Sequence, residues 1–437
     1  MANTYLQRNM ANSLDSVYTI SMWVKRCEVS RQQMLFSAYN NSTYDTECFF
    51  DGDKINWRNK RNGSYTWQKK SNAKFRDTNS FYHFVFQNNQ SNRKIYVNGV
   101  EITSWETNTD GSGASTWNND KSHAIGSTVN GGADHFNGII SHMHFASGTS
   151  LAPTVFGSVD SVTGEWQINT SPSFTPGANG FTILKDGNTI TDQSANSNNF
   201  ALGAGAITNT KDCASNIMAT LNPLLPEAGG FNGASPTLAN GATKFTTTNS
   251  GGVYDVSLST IGMSSGKYYA ECKKLSGGQG LIGIRGWQGT SPNNYLGDTS
   301  RDYALYVDGK MYTNNSETNI GAASYANNDI IGVAVDCDNW KIYFYKNGSI
   351  QNSSGYTIAN IALDNNFRSY NNYFFGCCEW DSSGNGSWEW NFGNGFFGTT
   401  AITTNSGNGY AGAEGKSKFA YQPKSGHSAL STKGLNQ

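Results

Sequence analysis

The segment Tyr18-Thr19-Ile20-Ser21-Met22-Trp23-Val24-Lys25 alternates, with Tyr18, Ile20, Met22 and Val24 falling on one face. A period of two marks a strand with that face against a core. Runs of the same kind follow at short spacing. They are Met34-Leu35-Phe36-Ser37-Ala38, Glu47-Cys48-Phe49-Phe50, Ile55-Asn56-Trp57, Phe81-Tyr82-His83-Phe84-Val85-Phe86 and Ile139-Ile140-Ser141-His142-Met143-His144-Phe145. The second half repeats the pattern in Tyr268-Tyr269-Ala270-Glu271-Cys272, Leu281-Ile282-Gly283-Ile284, Tyr303-Ala304-Leu305-Tyr306-Val307, Tyr373-Phe374-Phe375-Gly376-Cys377-Cys378 and Trp388-Glu389-Trp390-Asn391-Phe392. No useful length of helical periodicity interrupts them. Many short strands between polar turns predict an all-β chain built as sandwiches.

One phrase occurs twice. Lys94-Ile95-Tyr96-Val97-Asn98-Gly99 returns, lengthened, as Lys341-Ile342-Tyr343-Phe344-Tyr345-Lys346-Asn347-Gly348. Asn and Gly both tolerate positive φ, so each Asn-Gly predicts a tight turn. Each run follows another strand-like segment, so one hairpin pattern stands in each half. This predicts two tandem β-sandwich domains, over residues 1–150 and 216–425, with a C-terminal tail over 426–437. Between them, residues 151–215 carry Pro153, Pro172 and Pro176 and polar runs, yet keep Phe156, Trp166, Phe174, Phe181 and Phe200. Those rings predict an ordered connector, with Trp166 and Phe174 buried between domains or between subunits. Near the end, Phe419-Ala420-Tyr421 is an anchor in a Gly/Ser/Lys-rich stretch.

Composition narrows the function classes. Charged residues are 14% of the chain, against roughly 25% in ordinary globular proteins. Aromatics at 13% fill two cores and argue against disorder. Net charge is −1, and the densest basic stretch is only Arg58-Asn59-Lys60-Arg61 with Lys69-Lys70. A nucleic-acid partner is not expected, since it needs several phosphate-neutralising cations on one face. Membrane insertion is not expected either, because no window reaches the ~18 apolar residues of a span. The opening residues lack an apolar signal region, which points to synthesis in a cytoplasm. Seven cysteines without Cys-x-x-Cys read as reduced thiols.

The segment Phe81 to Glu101, with Phe136-Asn137-Gly138-Ile139-Ile140, resembles a laminin-G or concanavalin-like jelly roll. Gly266-Lys267-Tyr268-Tyr269-Ala270-Glu271, Asp329 to Asp336, Trp340-Lys341-Ile342-Tyr343-Phe344 and Asn347-Gly348 resemble the core phrases of a SPRY domain. The order of Tyr5-Leu6-Gln7-Arg8, Phe156-Gly157, Gly164-Glu165-Trp166, Asn179-Gly180-Phe181, Ala219-Thr220-Leu221-Asn222-Pro223-Leu224, Asn391-Phe392-Gly393-Asn394-Gly395 and Ala429 to Asn436 is similar to virion structural proteins of tailed phages, of the marine and cyanophage type. This resemblance implies a chain made in the host cytoplasm and carried in the virion beside other virion proteins. A sandwich beginning within the first twenty residues argues for capsid decoration or a tip subunit over a tail-fibre shaft.

Chemistry needs a constellation, and the sequence offers a poor one. Glycoside hydrolysis needs two carboxylates flanking the scissile bond. The nearest phrase is Glu379-Trp380-Asp381-Ser382-Ser383-Gly384, with glycine where the acid belongs. Gly-x-Ser-x-Gly, His-Glu-x-x-His and phosphate-loop motifs are missing. The expectation is a non-enzyme, and Glu379→Gln is expected to be silent. His135, His142 and His144 invite a metal reading, but the strand pattern sets His142 and His144 on a solvent face. A laminin-G-like calcium site would draw on Asp51, Asp53 and Asp134, and no other cofactor is expected. Glycan binding would use rings beside turns: Trp57, Trp67, Trp117, Trp287, Tyr295 and Trp380. Trp23, Tyr96 and Trp340 read as core. The chain is thus expected to attach weakly and multivalently to host-surface glycans as a homo-oligomer, a cyclic trimer first. The rivals are a purely architectural decoration protein and a polysaccharide depolymerase.

Overall fold

The computed structural model describes residues 4–11, 16–41, 43–90, 92–112, 114–129, 133–185, 190–225, 236–247, 254–286, 295–360, 372–380, 386–403 and 409–435. The described elements are almost all strands, as the alternation predicts. They fall into two compact units, residues 1–209 and 210–437.

The first unit contains β1 (Tyr5–Asn9), β2 (Val17–Arg26), β3 (Gln33–Asn41), β4 (Tyr44–Asp51), β5 (Lys54–Arg61), β6 (Ser64–Lys74), β7 (Tyr82–Asn89), β8 (Asn92–Val97), β9 (Val100–Glu101), β10 (Trp105–Thr109), β11 (Ser122–Ile125), β12 (Gly138–Ser147), β13 (Gly157–Val159), β14 (Trp166–Ile168), β15 (Phe181–Ile183) and β16 (Ala201–Ala204). One sheet runs β10-β6-β5-β4-β3-β11-β1-β16 and the other β15-β12-β2-β7-β8-β9. Their inner faces meet in one aromatic-rich core. Tyr18, Ile20, Met22, Val24, Phe84, Phe86 and Phe145 come from one sheet, and Phe36, Phe50, Ile55, Trp57 and Trp67 from the other.

β2 is buried along nearly its whole length, on both faces. The second face is roofed by the segment after β12. Thr19 Oγ1 donates to the Thr149 carbonyl at 2.9 Å. His144 stacks on Phe156, ring centroids 5.5 Å apart, and meets the edge of Phe174 at 5.7 Å. His142 and His144 are therefore buried, not on a solvent face. The structure corrects that expectation because strand alternation cannot reveal a later segment laid over the second face. Trp166 and Phe174 are half-buried, and their packing is onto this sheet of their own unit. Trp166 Nε1 donates to His83 Nδ1 at 2.9 Å, and its ring stacks on His83, which stacks in turn on Trp23 at 4.6 Å. Through residue 209 the predicted connector lies within the first unit, with β15 paired to β12 and β16 to β1.

The second unit contains β17 (Thr237–Ala239), β18 (Lys244–Thr246), β19 (Tyr254–Leu258), β20 (Lys267–Ser276), β21 (Gly280–Gly286), β22 (Asp302–Tyr306), β23 (Lys310–Thr313), β24 (Ser316–Asn319), β25 (Ile330–Asp336), β26 (Lys341–Lys346), β27 (Ser349–Ile350), β28 (Tyr356–Thr357), β29 (Tyr373–Trp380), β30 (Ser387–Asn391), β31 (Phe396–Phe397), β32 (Thr400–Ala401) and β33 (Ser428–Ala429). One sheet runs β17-β18-β30-β20-β25-β26-β27, with β28 on β26 and β33 parallel to β20; the other runs β19-β29-β21-β22-β23-β24. The core between them holds Cys272, Ile282, Ile284, Leu305, Ile331, Val333, Val335, Ile342, Phe344, Phe375, Trp388 and Trp390. Leu430, close to the C-terminus, is sealed in the same core.

The repeated phrase has the same geometry in both units. Asn98 and Asn347 both stand at φ 49°, and Gly99 and Gly348 follow at 80° and 82°. Each pair turns the chain into a short return strand, β8 to β9 and β26 to β27. Each Asn also caps the neighbouring strand: the His83 N–H donates to Asn98 Oδ1 at 2.8 Å, and the Ile330 N–H to Asn347 Oδ1 at 2.9 Å.

Candidate ligand-binding surface

Strand alternation gives each sheet of the second unit an outer face. On the sheet from β19 to β24, Ile282, Ile284, Leu305, Met311, Phe375 and Cys377 point into the core. Their neighbours Leu281, Ala304, Tyr306, Tyr312, Phe374 and Cys378 point the other way, joined by Tyr254, Val256 and Leu258 of β19. Four half-buried tyrosines lie together on this outer face. Ring centroids are 5.1 Å apart for Tyr254 and Tyr295, 6.0 Å for Tyr295 and Tyr312, and 5.5 Å for Tyr306 and Tyr312.

A buried ion pair positions the loop that carries Tyr295. Arg285 on β21 grips Asp302 on β22 as a fork, Nε to Oδ1 at 3.0 Å and Nη2 to Oδ2 at 2.7 Å. Nη2 also donates to the Tyr295 carbonyl at 2.7 Å. Asp302 Oδ2 accepts the Gly297 N–H at 3.0 Å, and the Leu296 N–H donates to Cys378 Sγ at 3.3 Å. Charge-assisted bonds of this kind hold a loop far better than neutral ones. Tyr295 is held at its other end too, its hydroxyl donating to Asn315 Oδ1 at 2.6 Å.

The rim supplies hydrogen-bonding groups. The Tyr312 hydroxyl donates to Glu317 Oε2 at 3.2 Å, and Lys310 Nζ reaches both oxygens of Glu317 at 2.8 Å. Gln279 Oε1 lies 3.5 Å from the Tyr306 hydroxyl. Desolvation is the main cause raising the phenol pKa of Tyr254, Tyr295, Tyr306 and Tyr312, the last to about 12. All four therefore stay neutral across ordinary pH, offering hydroxyl groups and ring faces without charge. Fixed rings beside amides and a carboxylate suit a binding surface better than a reaction centre.

The residues singled out in the sequence scatter. Trp57, Trp67 and Trp117 are 0%, 0% and 1% exposed and form one core cluster, so they cannot face a ligand. Trp57 shares its strand face with Ile55, and that face is inward; Trp117 plugs the core from a loop, fixed where the Thr116 N–H meets Thr46 Oγ1 at 2.7 Å. Tyr295 stands in the tyrosine surface. Trp380 ends β29 opposite Tyr254 in register, and Trp287 lies outside the described residues, as do Asp381 to Gly384. Trp23 is core; Tyr96 and Trp340 are half-buried. Tyr254, Tyr306 and Tyr312 were missed, although Tyr306 is in phase with Ala304 and out of phase with core-facing Leu305.

The calcium candidates are already occupied by other partners. Asp51 pairs with Lys70 at 2.9 Å, and Asp53 with Arg26 at 3.4 Å and Arg76 at 3.2 Å. Asp134 accepts from Gln32 Nε2 at 2.7 Å. Among the described residues no three His, Cys, Asp or Glu side chains gather as a metal site. The three aspartates do not gather into one group, and two of them face cations. Glu379 is fully buried, accepting the Gln279 N–H at 2.7 Å and Trp388 Nε1 at 3.0 Å. Ser21 Oγ lies 2.8 Å from His83 Nε2, but this is no nucleophile and base. Trp166 donates to Nδ1, so Nε2 carries the proton and cannot accept one.

The family comparisons fit this architecture. The description "Concanavalin A-like lectin/glucanases superfamily" matches residues 1–155, and "SPRY domain" matches residues 267–372. The chain carries a concanavalin-like domain and a SPRY domain. No curated protein matches it. Among solved structures, the SPRY domain of human HERC1 is 19% identical, covers 36% of this chain and 91% of its own, and has a TM-score of 0.30. Domain 4 of AbnA, an extracellular GH43 arabinanase from Geobacillus stearothermophilus solved with arabinotriose, is 19% identical over 32% of this chain and 65% of its own, TM-score 0.26. The heptameric SAP-like pentraxin of Limulus polyphemus is 15% identical over 35% and 72%, TM-score 0.27. Likenesses this low say nothing about ligand.

Proposed function

We propose that this chain is a non-enzymatic surface protein of a tailed-phage virion, attaching weakly and multivalently to host-surface glycans through the tyrosine surface of its SPRY domain. The observation that carries the reading is the pre-set geometry of Tyr254, Tyr295, Tyr306 and Tyr312 over the Arg285–Asp302 fork. A sugar ring stacks its C–H face on such rings and hydrogen-bonds to amides at their edge. Both domain families are compatible with carbohydrate or protein binding. The non-enzymatic part is supported by Glu379, the nearest match to a glycosidase acid, which is sealed beneath Trp388. No helix among the described residues is long and apolar enough to cross a membrane. The phage origin rests on the order of sequence phrases from Tyr5-Leu6-Gln7-Arg8 to the C-terminal Ala429-Leu430-Ser431-Thr432-Lys433-Gly434. One shallow surface binds weakly, so useful attachment needs several linked copies, a cyclic trimer being the simplest.

The test is binding of the full chain to bacterial envelope polysaccharide on a sensor surface, with sedimentation of the same sample. The reading expects binding that Tyr295→Ala with Tyr312→Ala reduces at least tenfold, no release of reducing sugar, and an oligomer. Polysaccharide cleavage, or binding untouched by the double substitution, would overturn it. Mass spectrometry of purified particles tests the virion location separately.

A further inference from the structure

β20 sends Tyr268, Ala270 and Cys272 into the core and turns Tyr269 and Glu271 to its other face. That face continues through Ala334 on β25 and Tyr343 and Tyr345 on β26, and the last part of the chain lies over it. Phe419 meets Tyr269 edge-on, centroids 5.0 Å apart. Tyr421 covers Gly348, and the Lys424 ammonium stands 4.3 Å over the Tyr343 ring. Ser428 and Ala429 then pair with Tyr268 and Tyr269.

Glu271 lies beneath this strap, fully buried. Its carboxylate accepts the N–H groups of Ala420 and Tyr421, each at 2.8 Å, Asn391 Nδ2 at 3.1 Å and the Tyr269 hydroxyl at 3.3 Å. Asn391 Nδ2 also donates to the Lys418 carbonyl at 3.0 Å, tying the same stretch to β30. All four donors to the carboxylate are uncharged. The titratable groups acting on it are phenols, Tyr269 from β20 and Tyr421 from the strap; Lys273, next along the same face of β20, stands opposite Glu389 of β30 and acts on that carboxylate. β25 brings only Gly332 opposite it.

We infer that Glu271 is the clasp of a strap, residues 418–429, whose hold weakens from mildly acidic to mildly alkaline solution, and that its opening uncovers a second tyrosine surface of Tyr269, Tyr343 and Tyr345. Burial without a counter-ion opposes ionisation, while the four donors favour it. Burial is the larger effect, and it raises the carboxyl pKa to about 7. With the strap open the carboxyl meets water and returns to its ordinary 4.5. The closed state therefore holds the proton more tightly. Closure is strongest below the ordinary carboxyl pKa and weakens as pH rises through about 7. These two values make the opening constant larger near pH 8 than near pH 5 by one to two orders of magnitude.

Hydrogen exchange of the full chain reads this directly. Protection of the Ala420 and Tyr421 amides, corrected for intrinsic exchange, should fall by one to two orders of magnitude between those pH values, with the same amides in Glu271→Gln as the unmoved reference. Glu271→Gln should remove the pH dependence of the strap amides. A flat wild-type ratio would overturn the inference. Should the variant not fold, the 13C titration of the Glu271 carboxyl decides: a midpoint near 7 supports the clasp, and one near its ordinary 4.5 contradicts it.

Discussion

Three Asn-Gly turns share one backbone geometry and differ in what lies above the glycine, so alanine at each separates strain from packing. Gly63, Gly99 and Gly348 stand at φ 79°, 80° and 82°. Above Gly63 an added Cβ meets nothing within 4 Å. Above Gly99 it would run into the Trp166 ring, and above Gly348 into the Tyr421 ring. Left-handed strain alone costs about 1 kcal/mol, which is the expectation for Gly63→Ala. In Gly99→Ala the Trp166 ring must also move, losing its bond to His83 Nδ1 and its stack on that ring. The bond adds about 1 kcal/mol and the stack about 1 more, for a total of about 3 kcal/mol. Gly348→Ala displaces one packed phenol, and the total is about 2 kcal/mol. Exchange of the most protected amides, Phe84 and Phe86 in the first unit and Val333 and Val335 in the second, reads the unfolding free energy of each unit separately. Equal costs at Gly63 and Gly99 would refute the claim that the later segments are packed roofs.

Acid should weaken the first unit before carboxylates alone would. Burial lowers the pKa of His83 and His144 to about 3 and of His123 to about 4, from 6.5. The unfolded chain then binds the extra protons, so stability is full above 6.5 and falls by up to about 1.4 kcal/mol per pH unit per histidine below it. Urea midpoints that stay level from there to about pH 4.5 would contradict this. Glu379→Gln should cost stability: it removes the carboxylate 3.8 Å from the almost fully buried Lys274, whose ammonium is left with the Ser276 and Gly277 carbonyls and Asn327 Oδ1. The expected loss is about 3 kcal/mol in the second unit, measured by the same exchange, and a loss under about 0.5 kcal/mol would show that the pair is unimportant.

What could be read in the sequence was whatever local alternation and turn chemistry control. Tyr18, Ile20, Met22 and Val24 point inward together, and both Asn-Gly turns form as the tolerance of positive φ requires. Alternation names two faces of a strand and leaves open whether the second is covered. His144 shows the consequence, since its face is roofed by Phe156 and Phe174 from far along the chain. The tryptophans misled for a different reason. Trp67 alternates with Lys69 and Ser71, both buried polar residues, so its inward face carries no apolar signature. The tyrosine surface is a product of sheet order, which sets β19, β29, β21, β22 and β23 side by side. Tyr295 stands in a polar loop, whereas Tyr254, Tyr306 and Tyr312 lie on strands, where a ring reads as core.

The most direct test of the account is to watch those rings while a glycan binds. In full-length protein carrying 13C-labelled tyrosine, titration with bacterial envelope oligosaccharide should shift the ring resonances of Tyr254, Tyr295, Tyr306 and Tyr312 together and leave buried Tyr18 still. Shifts confined to other tyrosines, or binding with these four unmoved, would contradict the central claim that this surface is where the protein attaches.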